Sequence, residues 1–389
     1  MKTPTYLLRL VALSALLAPC AHAAPSYAFT PIGGLGGASG DLNDLNNAGQ
    51  IVGYALSAGN TAQAYVSEAG ASRSLHPNWA TGSHAFGIND AGVAAGSATS
   101  DNVAQAVTFA GTRVNLLGSL GGANSTAAAI NNAGQVAGSS FLADNSAQHA
   151  FRWRDGAMQD LGTLGGTNSL ATGINAGGDV VGQADVAGNS SYHAFLHSSG
   201  GMIDLGTLGG TFSAANAIND AGQVVGLSYL AGDAYAHAFS YAAGRMRDLG
   251  TLGGNNSFAL GLNNLGAIVG NSEVAGGGPT RAFLFADGTM TDLNSLIDPR
   301  FADFDHVLRY AADINDAGQI AALGCTASGL QCQGFLLTPV PEPRTWTMMA
   351  LGAFGVALAA RRRQRGGAAG MMAASLAAAS LTAASAGKD

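Results

Sequence analysis

A seven-residue phrase, Asp-Leu-Gly-Thr-Leu-Gly-Gly, stands three times in this chain, at 160–166, 204–210 and 248–254. Weaker copies occupy 116–122 (Leu-Leu-Gly-Ser-Leu-Gly-Gly) and 31–37 (Pro-Ile-Gly-Gly-Leu-Gly-Gly). Each leads, after a short polar stretch, to an Ile-Asn or Leu-Asn step and a Gly. The asparagines of that step and its equivalents are Asn46, Asn89, Asn131, Asn175, Asn219, Asn263 and Asn315, spaced by 43, 42, 44, 44, 44 and 52 residues. An internal period of this length confines the chain to a repeat architecture, in which each unit buries its apolar face against its neighbours. The long last interval marks an insertion over 295–310.

Inside a unit the hydrophobic period is that of strands. In 213–250, residues 214–219 form a small-residue strand, and Asp220-Ala221-Gly222 is a turn in which Gly supplies positive φ. Residues 223–228 (Gln-Val-Val-Gly-Leu-Ser) carry the β-branched side chains that suit a pleated surface. A polar loop leads to His237-Ala238-Phe239-Ser240-Tyr241, and Gly244 turns the chain into 246–250. Four short strands in about 44 residues are the spacing of a propeller blade. The repeats hold no helical stripe. At the ends, 27–33 has the phase of a fourth strand with no first three before it, while 313–338 supplies the first three strands and stops. The expected fold is therefore all-β, a seven-bladed β-propeller closed by its N-terminal strand, which removes two exposed sheet edges. A β-solenoid with two coils per repeat is the alternative, and it leaves the complementary half-units unexplained.

Of 389 residues 57 are Gly and only 11% are charged. Between Pro25 and Val340 stand nine Arg, no Lys and twenty-two Asp and Glu, an excess of thirteen negative charges. Such a domain repels phosphate backbones, so nucleic acid is excluded as a partner. Residues 1–24 read as a secretory signal: Lys2 and Arg9 begin it, 10–18 are apolar, and Ala21-His22-Ala23 offers a signal-peptidase site. Cys20 leaves with that peptide, since Pro19 before it fits a lipoprotein signal badly. Cys325 and Cys332 remain, and export into an oxidising compartment favours a disulfide over a metal ligand or a nucleophile.

The repeat residues resemble the HAF-repeat family of bacterial extracellular proteins. The His-Ala-Phe step stands at His149-Ala150-Phe151, His193-Ala194-Phe195 and His237-Ala238-Phe239, and is degraded at Gln63-Ala64-Tyr65, Gln105-Ala106-Val107, Arg281-Ala282-Phe283 and Gln333-Gly334-Phe335. The resemblance covers 27–338 and implies an exported repeat protein with no known chemistry. After it come Val340-Pro341-Glu342-Pro343, an uncharged run over 345–360 and Arg361-Arg362-Arg363-Gln364-Arg365. This order is similar to the PEP-CTERM sorting signal of Gram-negative bacteria. It implies a transmembrane helix in the inner membrane, cleavage near Pro341-Glu342-Pro343 by an exosortase, and display on or release from the envelope, in biofilm or exopolysaccharide matrix. The run is about 24 Å long as a helix, and flanking Arg side chains can snorkel to complete a span. The Ala- and Ser-rich tail 366–389 departs from the family, which ends at the Arg cluster. The expected division is thus 1–24 signal peptide, 25–339 propeller, 340–365 sorting signal and 366–389 disordered tail.

Several constellations invite chemistry. His149, His193 and His237 recur at blade spacing, but on third strands they stand roughly 10 Å or more apart, too far to share one ion. Gly-Thr-Leu-Gly-Gly lacks the Lys and the following helix of a phosphate loop, and serves as the path between blades. Asp41, Asn43, Asn46 and Asn47 lack the terminal acid of a calcium loop and read as turn residues, leaving weak surface calcium as the only cofactor expectation. Asp303, Asp305 and His306 lie in the insertion and read as solvated loop residues. The loops joining second to third strands, and those joining one blade to the next, gather on one face and carry Phe141, Asp144, Asp185, Tyr192, Tyr229, Asp233, Tyr235 and Glu273. Aromatic rings with Asp and Asn beside them suit sugar rings. The functional expectation is an exported, non-catalytic propeller that binds exopolysaccharide or another surface component. The alternative is a carbohydrate-active hydrolase or lyase, whose acids would be Asp41, Asp44 and Asp313 on neighbouring blades 1 and 7.

Overall fold

In the computed structural model, which describes residues 25–301, 305–326, 328–329 and 331–341, the repeats form seven four-stranded antiparallel sheets. Blades 1 to 6 span 36–74, 82–118, 121–160, 165–204, 209–248 and 253–292. Blade 5 shows the plan: strand A is Gly209–Ile218, B is Val224–Leu230, C is Ala236–Ala242 and D is Arg245–Asp248. Blade 7 takes His306–Ile314, Ile320–Thr326 and Cys332–Val340, and its outer strand is Ser26–Pro31, paired antiparallel from Ser26 with Val340 to Pro31 with Phe335. The one helix among the described residues is a 3-10 turn, Leu293–Leu296, and none is long and apolar enough to cross a membrane. The expected signal peptide, Glu342, Pro343, the expected transmembrane helix and the tail lie outside the described residues.

The core is a set of inter-blade layers, and the His-Ala-Phe step shows why. Alternation along strand C points Ala238 toward blade 6 and Phe239 toward blade 4. Phe239 meets Val181 and Ala194 of blade 4 together with Ala215 and Val224 of its own blade. Phe151, Phe195, Phe239 and Phe283 are all fully buried. Small Ala on one side and Phe on the other keep neighbouring sheets at one spacing around the ring. The central Gly of strand B serves the same packing: a Cβ on Gly226 would stand 2.0 Å from the Ala214 carbonyl oxygen. Blade 7 carries Ala322 in that place, and there strand A has an additional register shift between Leu308 and Tyr310.

The structure corrects several boundaries. Strand A runs ten residues in blades 1 and 3 to 6, beginning at the first Gly of the Gly-Gly pair, because Gly209 takes φ +106° and the backbone of Tyr229 and Leu230 crosses too close to Gly210 for any Cβ. Asp41 and Asn43 belong to the innermost strand, not to a turn. Val340, the first residue of the expected sorting motif, is also the last residue of the strand Cys332–Val340, and of that motif only Pro341 is both described and beyond the strand. The insertion is shorter than expected, since 306–310 are strand. Its first part lies along the outer strand of blade 7, where Tyr27 pairs with Ile297 and the Asp298 N–H donates to the Tyr27 carbonyl at 2.9 Å.

Candidate functional site

Every strand A carries one extra residue two to four places before its turn: Asn43, Phe86, Ala128, Thr172, Asn216, Leu260 and Ala312. A bulge turns its side chain off the sheet face, and here all seven point into the central channel, forming a waist between two cavities. Asn43, Thr172 and Asn216 donate across the waist to the next blade's carbonyl, at Ala85 (2.8 Å), Ala215 (2.8 Å) and Ala259 (2.7 Å).

Below the waist, at the end where A turns into B, the repeat asparagines form a closed circuit. Each Nδ2 donates to the carbonyl of the next one, from Asn46 to Asn89 (3.0 Å) around to Asn315, which donates back to Asn46 (3.0 Å). The same Asn side chain accepts from its own turn, so one residue holds both the hairpin and the ring. A second circuit lies outside it: Asn47 N–H to Asp90, Asp90 to Asn132, Ala176 to Asp220, Asp220 to Asn264, Asn264 to Asp316 and Asp316 to Asn47. It has one gap, where Ala176 offers Asn132 no side-chain acceptor. Asn46 and Asn47, weighed in the sequence as calcium-loop residues, are thus committed to the ring.

A cavity of about 280 Å³ on this side holds two of the three carboxylates singled out in the sequence. After the bulge, blades 2 to 6 have Gly87, Ala129, Gly173, Ala217 and Gly261, whereas blades 1 and 7 have Asp44 and Asp313. Asp44 accepts from the Ile88 N–H at 2.7 Å, Asp313 from the Leu45 N–H at 3.3 Å, and the two carboxyls bond each other. Burial raises the pKa of both. The neighbouring Asp44 charge lifts Asp313 further, well above the carboxylate range, and the pair is held by one proton shared between the two carboxyls. Both lie deep in the protein and still keep part of their surface open to the cavity. Asp41 stands apart, above the waist, where the Tyr310 hydroxyl bonds it and burial raises its pKa more than the Leu42 N–H lowers it.

The expected ligand residues lie on the opposite face, in and beside the B–C loops, and several of them pin those loops. Asp233, at φ +54°, accepts from the Thr211 N–H and hydroxyl. Asp185 accepts from the Asn168 N–H (3.0 Å) and Nδ2 (2.9 Å), Glu273 from Asn255 and Asn256, and Asp144 from Ser146. Phe141 is the next-to-last residue of strand B of blade 3, in the place that Tyr229 takes in blade 5. Tyr235 is 45% exposed. Tyr192 and Tyr229 come together through a residue that the sequence reading passed over, Phe212, with ring centroids 4.9 and 5.8 Å from it. The signal was present in the repeats. Blades 3, 4 and 6 carry Asn124, Asn168 and Asn256 at this place, and each accepts from an N–H at the start of the preceding blade's strand C, from Ala104, Gln148 and Ala236. Blade 5 has an aromatic ring there instead.

Each His of the three complete His-Ala-Phe steps pairs within its own blade, to the Asp of the Asp-Leu-Gly phrase eleven residues on: His149 with Asp160 (2.8 Å), His193 with Asp204 (2.8 Å) and His237 with Asp248 (2.9 Å). Blade 6 replaces the pair by Arg281 and Asp292, and blade 1 by Gln63 and Ser74. Among the described residues no group of three or more His, Cys, Asp or Glu is placed to hold a metal ion. Asp305 pairs with His306 at the start of blade 7, and Asp303 lies outside the described residues. Cys325 and Cys332 are joined as cross-strand partners on the B–C hairpin of blade 7.

No family model matches the chain. No curated protein matches it either. Among solved structures it is similar to YCF48 bound to D1 peptide (12% identity, 82% of this chain and 96% of that one, TM-score 0.48). It is also similar to TolB from Acinetobacter baumannii (11%, 75% and 64%, TM-score 0.42), of which it therefore spans less than two thirds. A third likeness is to a gluconolactonase from Xanthomonas campestris (13%, 49% and 69%, TM-score 0.27). Likenesses this distant carry no functional inference. The chain is a seven-bladed β-propeller.

Proposed function

We propose that this propeller is an exported, non-catalytic protein that binds a polysaccharide of the cell envelope or matrix through its B–C face. The observation that carries the reading is the row Tyr192, Phe212 and Tyr229, made where an aromatic ring replaces a structural Asn. Aromatic faces stack on the apolar faces of sugars, and Thr211, next to Phe212, with its partner Asp233 offers groups for hydroxyls. The disulfide between Cys325 and Cys332 supports an oxidising compartment and hence export. On this reading signal peptidase and an exosortase process the ends, the chain passes through the inner membrane, and the strand Ser26–Pro31 is the clasp that holds the ring closed. Co-sedimentation of the full chain with envelope polysaccharide tests it. Phe212→Ala should weaken retention roughly tenfold, the effect of about 1.4 kcal/mol. Retention unchanged by Phe212→Ala and by Tyr229→Ala, or absent in the parent protein, would reject the site.

The carboxyl pair favours a second reading, a glycan-active hydrolase or lyase in which protonated Asp313 is the acid and Asp44 the base. Its weakness is that both side chains already bond backbone N–H groups of the next blade. Turnover of any glycan that disappears in Asp313→Asn would establish it.

A further inference from the structure

We propose that the chamber between the waist and the B–C face binds a primary ammonium group on a small hydroxylated ligand, the chemistry of an amino sugar, with Asp41 as counter-charge and Phe86 as aromatic platform. This site is separate from the aromatic row of blades 4 and 5, and neither depends on the other.

The chamber has a volume of about 630 Å³, within the range of small-molecule pockets. Among its lining residues Asp41 is the only charged one, and none is Lys, Arg or His. The hydrogen bonds that Asp41 accepts come from the Tyr310 hydroxyl and the Leu42 N–H, both neutral. A carboxylate so placed, desolvated by burial and facing a cavity, lacks the cation that would stabilise its charge. His84 stacks on Phe86 at 5.9 Å, and burial lowers its pKa, which keeps it neutral and brings no positive charge to the chamber.

Four of the polar side chains that line the chamber spend a donor inside the protein. Asn43, Thr172 and Asn216 give theirs to the next blade's carbonyls, and Tyr310 gives its own to Asp41. The amide and hydroxyl oxygens of these residues can still accept, which suits a ligand that brings donors. Phe86 is the one aromatic residue at the seven bulges, where the others are Asn, Ala, Thr or Leu. A ring face at the waist, held by its stack on His84, adds a cation–π contact for an ammonium group.

Calorimetric titration of the full chain separates the possibilities with four probes: glucosamine, N-acetylglucosamine, glucose and a fully deacetylated glucosamine oligomer. Glucosamine should bind, and loss of the ammonium in N-acetylglucosamine or glucose should weaken binding at least about tenfold, as for a charge-assisted bond. Binding of the oligomer with the monomer silent would place the amine on a polymer, and binding of the monomer would show that the free sugar suffices; either supports the proposal. Asp41→Asn should abolish the preference for the amine. Phe86→Leu, a residue that blade 6 tolerates at the same bulge, should lower affinity at least about threefold and carries the test if Asp41→Asn fails to fold. Phe212→Ala should leave this binding unchanged. Equal affinity for glucosamine and its acetylated form, no binding by any of the four, or a folded Asp41→Asn protein that keeps the preference would overturn the proposal.

Discussion

Truncating one asparagine of the inner circuit tests whether the repeat is held together where the sequence repeats most faithfully. Asn131 is 6% exposed and makes four bonds. Nδ2 donates to Gln135 Oε1 (2.8 Å) and to the Asn175 carbonyl of the next blade (2.9 Å), and Oδ1 accepts from the Ala133 N–H (3.1 Å) and the Gln135 N–H (3.0 Å). In Asn131→Ala the Asn175 carbonyl keeps its bond from Gly178, so that loss is one net bond, about 0.5–1.5 kcal/mol. The Gln135 N–H, half-buried, loses its acceptor, at about 1–3 kcal/mol. The two together predict a loss of about 1.5–4.5 kcal/mol, read as a lower denaturant midpoint with coincident fluorescence and circular-dichroism transitions.

Asn131→Asp sharpens the test. It keeps the acceptor but turns a carboxylate oxygen toward the Asn175 carbonyl, so at neutral pH it should be worse than Ala, and in acid, once protonated, it should recover past Ala. Asn175→Ala should cost less, because its bond to the next blade is the longest of the circuit at 3.4 Å. If Asn131→Ala changed stability by less than about 0.5 kcal/mol, or if Asp were no worse than Ala at pH 7, the circuit would be a by-product of the turns and not a source of stability.

Three further outcomes follow from the same geometry. Gly226→Ala sets a Cβ 2.0 Å from the Ala214 carbonyl oxygen and should cost about 3 kcal/mol or more, measured by the same unfolding curves, whereas the reverse change in blade 7, Ala322→Gly, should cost only about 1 kcal/mol. Ser213→Ala removes a fully buried hydroxyl that accepts from the Ala194 N–H of blade 4 (2.9 Å) and donates to the Gly206 carbonyl (2.6 Å), and should cost about 2–3 kcal/mol. Folding raises the pKa of Asp313 and Asp44, so the folded chain holds protons that the unfolded chain releases, and this pair makes stability fall as pH rises from about 4 toward the folded pKa of Asp313. Asp90 and Asp298, lowered by their hydrogen bonds, act in the opposite direction, so the check is the difference between parent and Asp313→Asn, which should grow in favour of the variant with rising pH.

The ring, the blade count and the strands were legible because each rests on periodicity, and periodicity survives without coordinates. The function of the repeated residues was less so, for a physical reason: their partners lie one whole unit away or eleven residues along, beyond any local pattern. Asn219 reads in the sequence as the end of a small-residue strand, whereas its Oδ1 holds the turn that follows and its Nδ2 reaches the carbonyl of Asn263, 44 residues on. His237 looked like a polar strand residue, and its Asp248 partner sits in a phrase that was read as a connector. The bulges left no trace in the sequence, since a single extra residue shifts a register without changing composition, and so the waist and Phe86 went unseen. Departures from the repeat were the legible signal of a site. Asp44 and Asp313 stand out in the sequence as acids on the first strands of neighbouring blades 1 and 7; both also break the repeat, since the other units have Gly or Ala there, and the structure brings these two together while leaving Asp41 on the other side of the waist. The same reasoning applied to Phe212, which stands where three other units keep a bonded Asn, would have found the aromatic row. In a propeller whose blades are interchangeable, a residue that breaks the repeat gives up a bond its neighbours keep, and that loss is explained when the side chain faces a ligand.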